Sequence, residues 1–163
     1  MAKASSDKTN VMRLLEQKKI SYTPHSYPHA DGPVDGVTVA GMIGVEPARV
    51  FKTLVARGAS KAIYVFVIPV ARELDLKKAA KSVGEKSIAM IHVSEITGLT
   101  GYVRGGCSPV GMKKRYRTVL DTQAQRVETL LVSAGKIGYQ FELAPDALLA
   151  LVGGTVADLT VDA

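Results

Sequence analysis

The stretch Phe51-Lys-Thr-Leu-Val-Ala-Arg-Gly-Ala-Ser-Lys-Ala-Ile-Tyr-Val-Phe-Val-Ile68 is two apolar runs around a polar break. Phe51 to Ala56 and Ala62 to Ile68 are rich in β-branched and aromatic residues, and Arg57-Gly58-Ala59-Ser60 between them carries the turn chemistry, so the segment predicts a β-hairpin. Working outward toward the C-terminus, Leu76 to Val83 reads as a helix capped by Asp75 and stopped by Gly84, and Ser94 to Leu99 as another short one. Thr118 to Asp121, Leu130 to Ser133 and Tyr139 to Leu143 read as strands, the last two joined by a turn at Gly135-Lys136-Ile137-Gly138. Pro145 suits the first position of a helix through Asp146 to Val152, with Gly153 behind it and a final strand over Val156 to Leu159.

Toward the N-terminus, Val11, Leu14 and Leu15 fall at helical spacing behind Thr9, which predicts a helix over about 10 to 19. Tyr22 to Asp35, with its prolines, reads as strand and then loop. A short helix is expected after Thr38, with Val39, Met42 and Ile43 inward and Gly44 ending it. Runs of strands broken by single helices argue for an α+β fold. The expectation is a mixed, mainly antiparallel sheet of about seven strands, closing into a barrel-like core with several short flanking helices.

At 163 residues, 47% hydrophobic and 22% charged, the chain reads as a single globular domain. A formal charge of +6 favours a polyanionic partner. The single cysteine, Cys107, excludes an internal disulfide and a zinc-finger cluster. The longest apolar run, Ala62 to Ala71, is strand-sized rather than membrane-spanning, and Met1 to Lys8 lacks the apolar stretch of a secretory signal. A cytoplasmic protein with no membrane association is expected.

The densest chemistry lies in Gly101-Tyr-Val-Arg-Gly-Gly-Cys-Ser-Pro-Val-Gly-Met-Lys-Lys-Arg115. Its glycines and Pro109 suit a backbone-lined pocket, and Lys113, Lys114, Arg115 and Arg117 form a cationic lip; together they fit a small acyl group on a polyanion. His25, His29 and His92 lack metal-site spacing, since Pro24 and Pro28 keep the first two out of a helix, and no cofactor is called for. There is no Gly-x-Ser-x-Gly elbow, Walker A motif or dinucleotide fingerprint. Cys107, with no histidine near it in sequence, reads as a small pocket filler before a nucleophile. Lys52 allows two readings: a lysine whose tip reaches solvent at a strand end, or a partly buried ammonium offered to a carbonyl, carboxylate or phosphate oxygen.

The chain resembles the YbaK/EbsC family of bacterial Cys-tRNA(Pro) deacylases, relatives of the editing domain inserted in bacterial prolyl-tRNA synthetases. The resemblance is carried by Lys19-Ile20-Ser21-Tyr22, His25-Ser26-Tyr27-Pro28-His29, Val50-Phe51-Lys52-Thr53-Leu54 and Glu73-Leu74-Asp75-Leu76-Lys77-Lys78. It continues through Gly101-Tyr102, Gly105-Gly106-Cys107-Ser108-Pro109-Val110-Gly111 and Val132-Ser133-Ala134-Gly135-Lys136, covering about residues 9 to 160. It implies one editing domain over residues 1 to 163 that hydrolyses, in trans, the ester of mischarged tRNA(Pro). It also implies a catalytic role for Lys52, an aminoacyl pocket shaped by the Gly105 to Pro109 loop with Gly101, and further lining by Tyr27, Thr53, Ser133 and Gly135. In such a pocket Cys107 is wall, and the substrate's own thiol is thought to attack its carbonyl.

Lys113, Lys114 and Arg115, next to the loop, are assigned to the acceptor-stem phosphates, with prolyl-tRNA synthetase a candidate partner. The chain departs from some relatives in lacking an aromatic near Asp35 and an acidic residue near Gln140. An Ala-tRNA(Pro) deacylase of the same superfamily is therefore the alternative enzyme, and a non-catalytic tRNA- or synthetase-binding module the alternative of another class. Oligomeric state is not legible.

Overall fold

The computed structural model describes residues 8–28, 32 and 34–162. Along them run α1 (Asn10–Gln17), β1 (Thr23–Ser26), α2 (Gly36–Ile43), β2 (Phe51–Gly58), β3 (Ile63–Pro69) and α3 (Leu76–Val83). There follow β4 (Ile88–Met90), α4 (Ile96–Thr100), β5 (Arg117–Asp121), β6 (Leu130–Ser133), β7 (Tyr139–Leu143), α5 (Pro145–Val152) and β8 (Thr155–Ala157).

The hairpin is the centre of the larger sheet. β2 and β3 are antiparallel, Phe51 opposite Pro69 and Arg57 opposite Ile63. The five-stranded order is β4-β2-β3-β5-β8, with β5 parallel to β3 and β8 parallel to β5. The smaller sheet, β1-β7-β6, is antiparallel throughout. Among the described residues the ladders form these two sheets, touching through the parallel bridge Val50–Leu131, and no closed barrel is found.

Strand alternation divides the interior. Phe51, Val65, Val67 and Leu120 of the large sheet pack on Leu130, Val132, Phe141 and Leu143 of the small one, sealed by Val11, Met12 and Leu15 of α1 and Leu148 of α5. On the other face of the large sheet, Ala79, Ala80 and Val83 of α3 cover Ala56, Phe66, Ile68 and Val119. Ala40 of α2 packs on Val50 and Leu131, roofing the seam between the sheets.

Local chemistry sets most boundaries. Thr9 Oγ1 accepts the Met12 N–H at 3.2 Å, and Asp75 accepts those of Lys77 and Lys78 at 2.9 and 3.1 Å. α2 differs from expectation: Asp35, not Thr38, is its cap, accepting the Thr38 N–H at 3.1 Å. Val39 and Ala40 are buried while Met42 is 47% exposed, because the inward face is the one that carries Ala40 onto Val50 and Leu131. The final strand ends at Ala157, because Asp121 captures the Leu159 N–H at 2.8 Å. β4 was not expected from the sequence.

Candidate active site

On one edge of β2 the partner β3 runs its whole length, but on the other β4 pairs only with Ala56 to Gly58. The Ile91 N–H reaches the Val55 carbonyl at 3.3 Å, and beyond it the next link on that side is the Val50–Leu131 bridge. Among the described residues no strand runs alongside Lys52 to Leu54 there, and a cleft of about 390 Å³ opens at this gap. α2 contributes Gly36 and Val39, the segment after β4 contributes Ile91 and Val93, and the small sheet contributes Ser133 and Gln140. Tyr27 and the loop residues Arg104, Gly105 and Cys107 complete the wall opposite β2.

Lys52 lies within β2 opposite Ile68, half-buried, and its ammonium makes no hydrogen bond or ion pair among the described residues. It shares a strand face with Leu54 and Ala56, whereas Thr53 shares the other with Phe51 and Val55. Burial pushes the Lys52 pKa below the ordinary lysine value, and the charge of Glu73 opposes that fall. A desolvated, unpaired cation seeks a developing negative oxygen more strongly than a solvated one. The Cys107 thiol moves the other way: burial pushes it up to about 11, against a smaller opposing hydrogen bond with Thr100. At neutral pH it stays protonated, which suits lining rather than nucleophilic attack.

Residues 34–151 match the family model of the aminoacyl-tRNA editing domain. The chain belongs to that family. An Enterococcus faecalis (strain ATCC 700802 / V583) protein named as a candidate Cys-tRNA(Pro)/Cys-tRNA(Cys) deacylase, EbsC, is 45% identical over 158 residues, covering 97% of this chain and 96% of that protein. The uncharacterised YwhH of Bacillus subtilis (strain 168) is 29% identical over 109 residues, 67% of this chain and 69% of its own. A crystal structure described as a candidate trans-editing enzyme for prolyl-tRNA synthetase superposes with a TM-score of 0.80 at 28% identity, covering 93% of this chain and 95% of that one.

Of the residues singled out in the sequence, this editing domain brings Lys52, Tyr27, Thr53, Gly105, Cys107 and Ser133 together around one cleft. Gly101, Gly106, Ser108, Pro109 and Gly135 are not among its lining. Gly101 ends α4 with φ 84°, and Ser108 is fully buried, its Oγ accepting the Val110 N–H at 3.2 Å. Gly106 backs onto the main chain at Lys136 and Ile137, where a Cβ would stand 3.0 Å from the Ile137 nitrogen. Gly135, with φ 92°, donates its N–H to Ser133 Oγ at 3.2 Å and lies under the Tyr102 ring. These residues hold the shape of the wall.

Lys113, Lys114 and Arg115 are exposed but away from the cleft lining. Lys114, Arg115 and Pro109 border a separate hollow of about 230 Å³ with Lys18, and the Arg115 guanidinium lies against Gly153 at the end of α5. The loop cation that does line the cleft is Arg104. His25 pairs with Glu142 at 2.8 Å, and Glu142 also takes Arg49 and Thr129; His29 lies outside the described residues. The α2 wall, the segment after β4 and Arg104 as lining went unread in the sequence, and Gln140 was noted there only as a departure from relatives. Alternation along β7 was the available signal for Gln140, because Tyr139, Phe141 and Leu143 claim the other face.

Proposed function

We propose that this editing domain is a free-standing deacylase that hydrolyses mischarged Cys-tRNA(Pro) at the ester joining cysteine to the terminal ribose. The observation that carries the reading is Lys52: a half-buried ammonium without a hydrogen bond or ion pair among the described residues, lining one cleft with Gly105 and Cys107 of the loop. The named activity of the Enterococcus faecalis relative and the 45% identity to it support the same substrate.

An aminoacyl ester is already activated, so positioning and stabilisation of the developing oxyanion suffice without a protein nucleophile. Gly106 uses its N–H in a turn with the Val103 carbonyl at 3.0 Å, which leaves Gly105 and Cys107 as the loop's main-chain donors toward the carbonyl oxygen. Lys52 adds a positive charge to that oxygen or to the ribose it leaves. In the cysteinyl case the substrate's sulfur attacks its own carbonyl; the C–S bond forms, the C–O bond to the ribose breaks, the thiol proton passes to the departing ribose oxygen, and water then opens the resulting cyclic thioester to free cysteine. Proline's synthetase admits smaller amino acids because a pocket rejects them only weakly, so a second hydrolytic site corrects the error.

The acceptor-stem phosphates are met first by Arg104 at the mouth and by Lys136, whose main chain abuts Gly106. Lys113, Lys114 and Arg115 lie farther along the same loop, and prolyl-tRNA synthetase supplies tRNA selection that so small a surface does not. Among the described residues no helix is long and apolar enough to cross a membrane.

The test is amino-acid release from Cys-tRNA(Pro) and Ala-tRNA(Pro) presented separately. Faster release of cysteine supports the reading, faster release of alanine transfers it to the alanine-specific activity, and tRNA binding without release from either replaces it with a binding module.

A further inference from the structure

Two buried side-chain polar atoms among the described residues have no hydrogen-bond partner, Thr53 Oγ1 and Gln140 Oε1. Both residues line the Lys52 cleft. Gln140 is only 7% exposed, and buried polar groups are almost always partnered, so two orphans at one cleft call for a ligand that completes them. They come from different sheets: Thr53 from the open edge of β2, Gln140 from β7 beside Ser133. The alternation that turns the Val55 carbonyl toward Ile91 turns the Thr53 main-chain carbonyl to the same open edge. Gln140 Oε1 and the Thr53 carbonyl only accept, and the Thr53 hydroxyl can accept as well as donate, so the site can meet a donor group from all three.

A ligand group rich in donors and without an acceptor is an ammonium. We propose that Gln140 Oε1 and Thr53 Oγ1 form the subsite for the substrate's α-ammonium, an assignment that rests on the deacylase reading of the cleft. Thr53 and Lys52 point to opposite faces of β2, which holds the substrate's positive end apart from the Lys52 ammonium. A neutral amide acceptor also suits the place, because it adds no negative charge to neutralise Lys52. The functional consequence is selectivity for esters of free α-amino acids; N-acylated esters, peptidyl esters among them, lack the ammonium and leave both acceptors orphaned.

The test uses two non-hydrolysable probes, 3′-cysteinylamino-3′-deoxyadenosine and its counterpart in which 3-mercaptopropionyl replaces cysteinyl, with binding measured by calorimetry. The wild type is expected to bind the cysteinyl amide about 10- to 100-fold more tightly than the desamino amide. Gln140→Met and Thr53→Val are each expected to remove most of that preference, Gln140→Met with a Tm at or above the wild type's because an orphaned acceptor is gone. Equal affinity of the wild type for the two amides overturns the subsite, as does a variant that weakens both amides equally. If Gln140→Met does not fold, Thr53→Val decides alone. Turnover of Cys-tRNA(Pro) is measured in parallel: discrimination between amides without turnover refutes the deacylase reading and leaves the ammonium subsite standing.

Discussion

Gly106→Ala tests whether the Gly105–Cys107 loop is a wall held to a fraction of an ångström. The new Cβ would stand 3.0 Å from the Ile137 nitrogen, 3.2 Å from the Lys136 carbonyl carbon and 3.3 Å from the Lys136 Cα. All three atoms are main chain, so no flexible side chain can swing away. The tightest contact is about 0.4 Å short of ordinary van der Waals distance, and the loop must lift from the β6–β7 turn by roughly that much. Overpacking of this kind costs about 1–3 kcal/mol, a Tm fall of about 2–10 °C in a chain this size. If a 1 Å misplacement costs about 100-fold in rate, 0.4 Å costs about 6-fold. The assay is kcat/KM on Cys-tRNA(Pro) with a thermal melt, and Gly98→Ala, where a Cβ meets nothing within 4 Å, is the control. A Gly106→Ala protein with the wild type's melting curve and full activity refutes the argument.

Cys107→Ser is expected to keep most of the activity, and iodoacetamide should label the wild-type thiol slowly at pH 8 and readily only near pH 11, where burial has moved its pKa; an inactive, folded Cys107→Ser protein assigns the thiol a chemical role. The pH profile should fall on its alkaline side below the ordinary lysine value of 10.5, since burial lowers the pKa of the Lys52 ammonium and the charged form is the active one. Glu73→Gln removes the charge that opposes this lowering, so the alkaline limb should move to still lower pH, and a limb that stays put or moves up contradicts the assignment.

What the sequence showed was whatever local chemistry dictates. The hairpin, the Thr9 and Asp75 caps and the glycine stops of α2, α3 and α5 follow from neighbouring residues, and they stand within a few positions of expectation. Lys52 was singled out with two readings open, and it stands half-buried within β2. The cleft itself was not legible, because it is a gap between distant pairings: β4 joining β2 only at Ala56 to Gly58, and Val50 meeting Leu131. Without that gap nothing separates the loop glycine that lines the cleft from those that do not. The basic run Lys113 to Arg115 is adjacent in sequence to the pocket loop, but Lys114 and Arg115 border a separate hollow, and the loop cation among the cleft lining is Arg104.

Release of cysteine from Cys-tRNA(Pro) by the wild type and by Lys52→Ala, compared at equal enzyme concentration after both are shown to melt cooperatively, tests the central claim most directly. The account predicts release by the wild type and a loss of about 100-fold or more in Lys52→Ala, with little loss of Tm, because burial disfavours the Lys52 charge more than the Glu73 charge favours it. A folded Lys52→Ala protein that releases cysteine within a few-fold of the wild-type rate would contradict it.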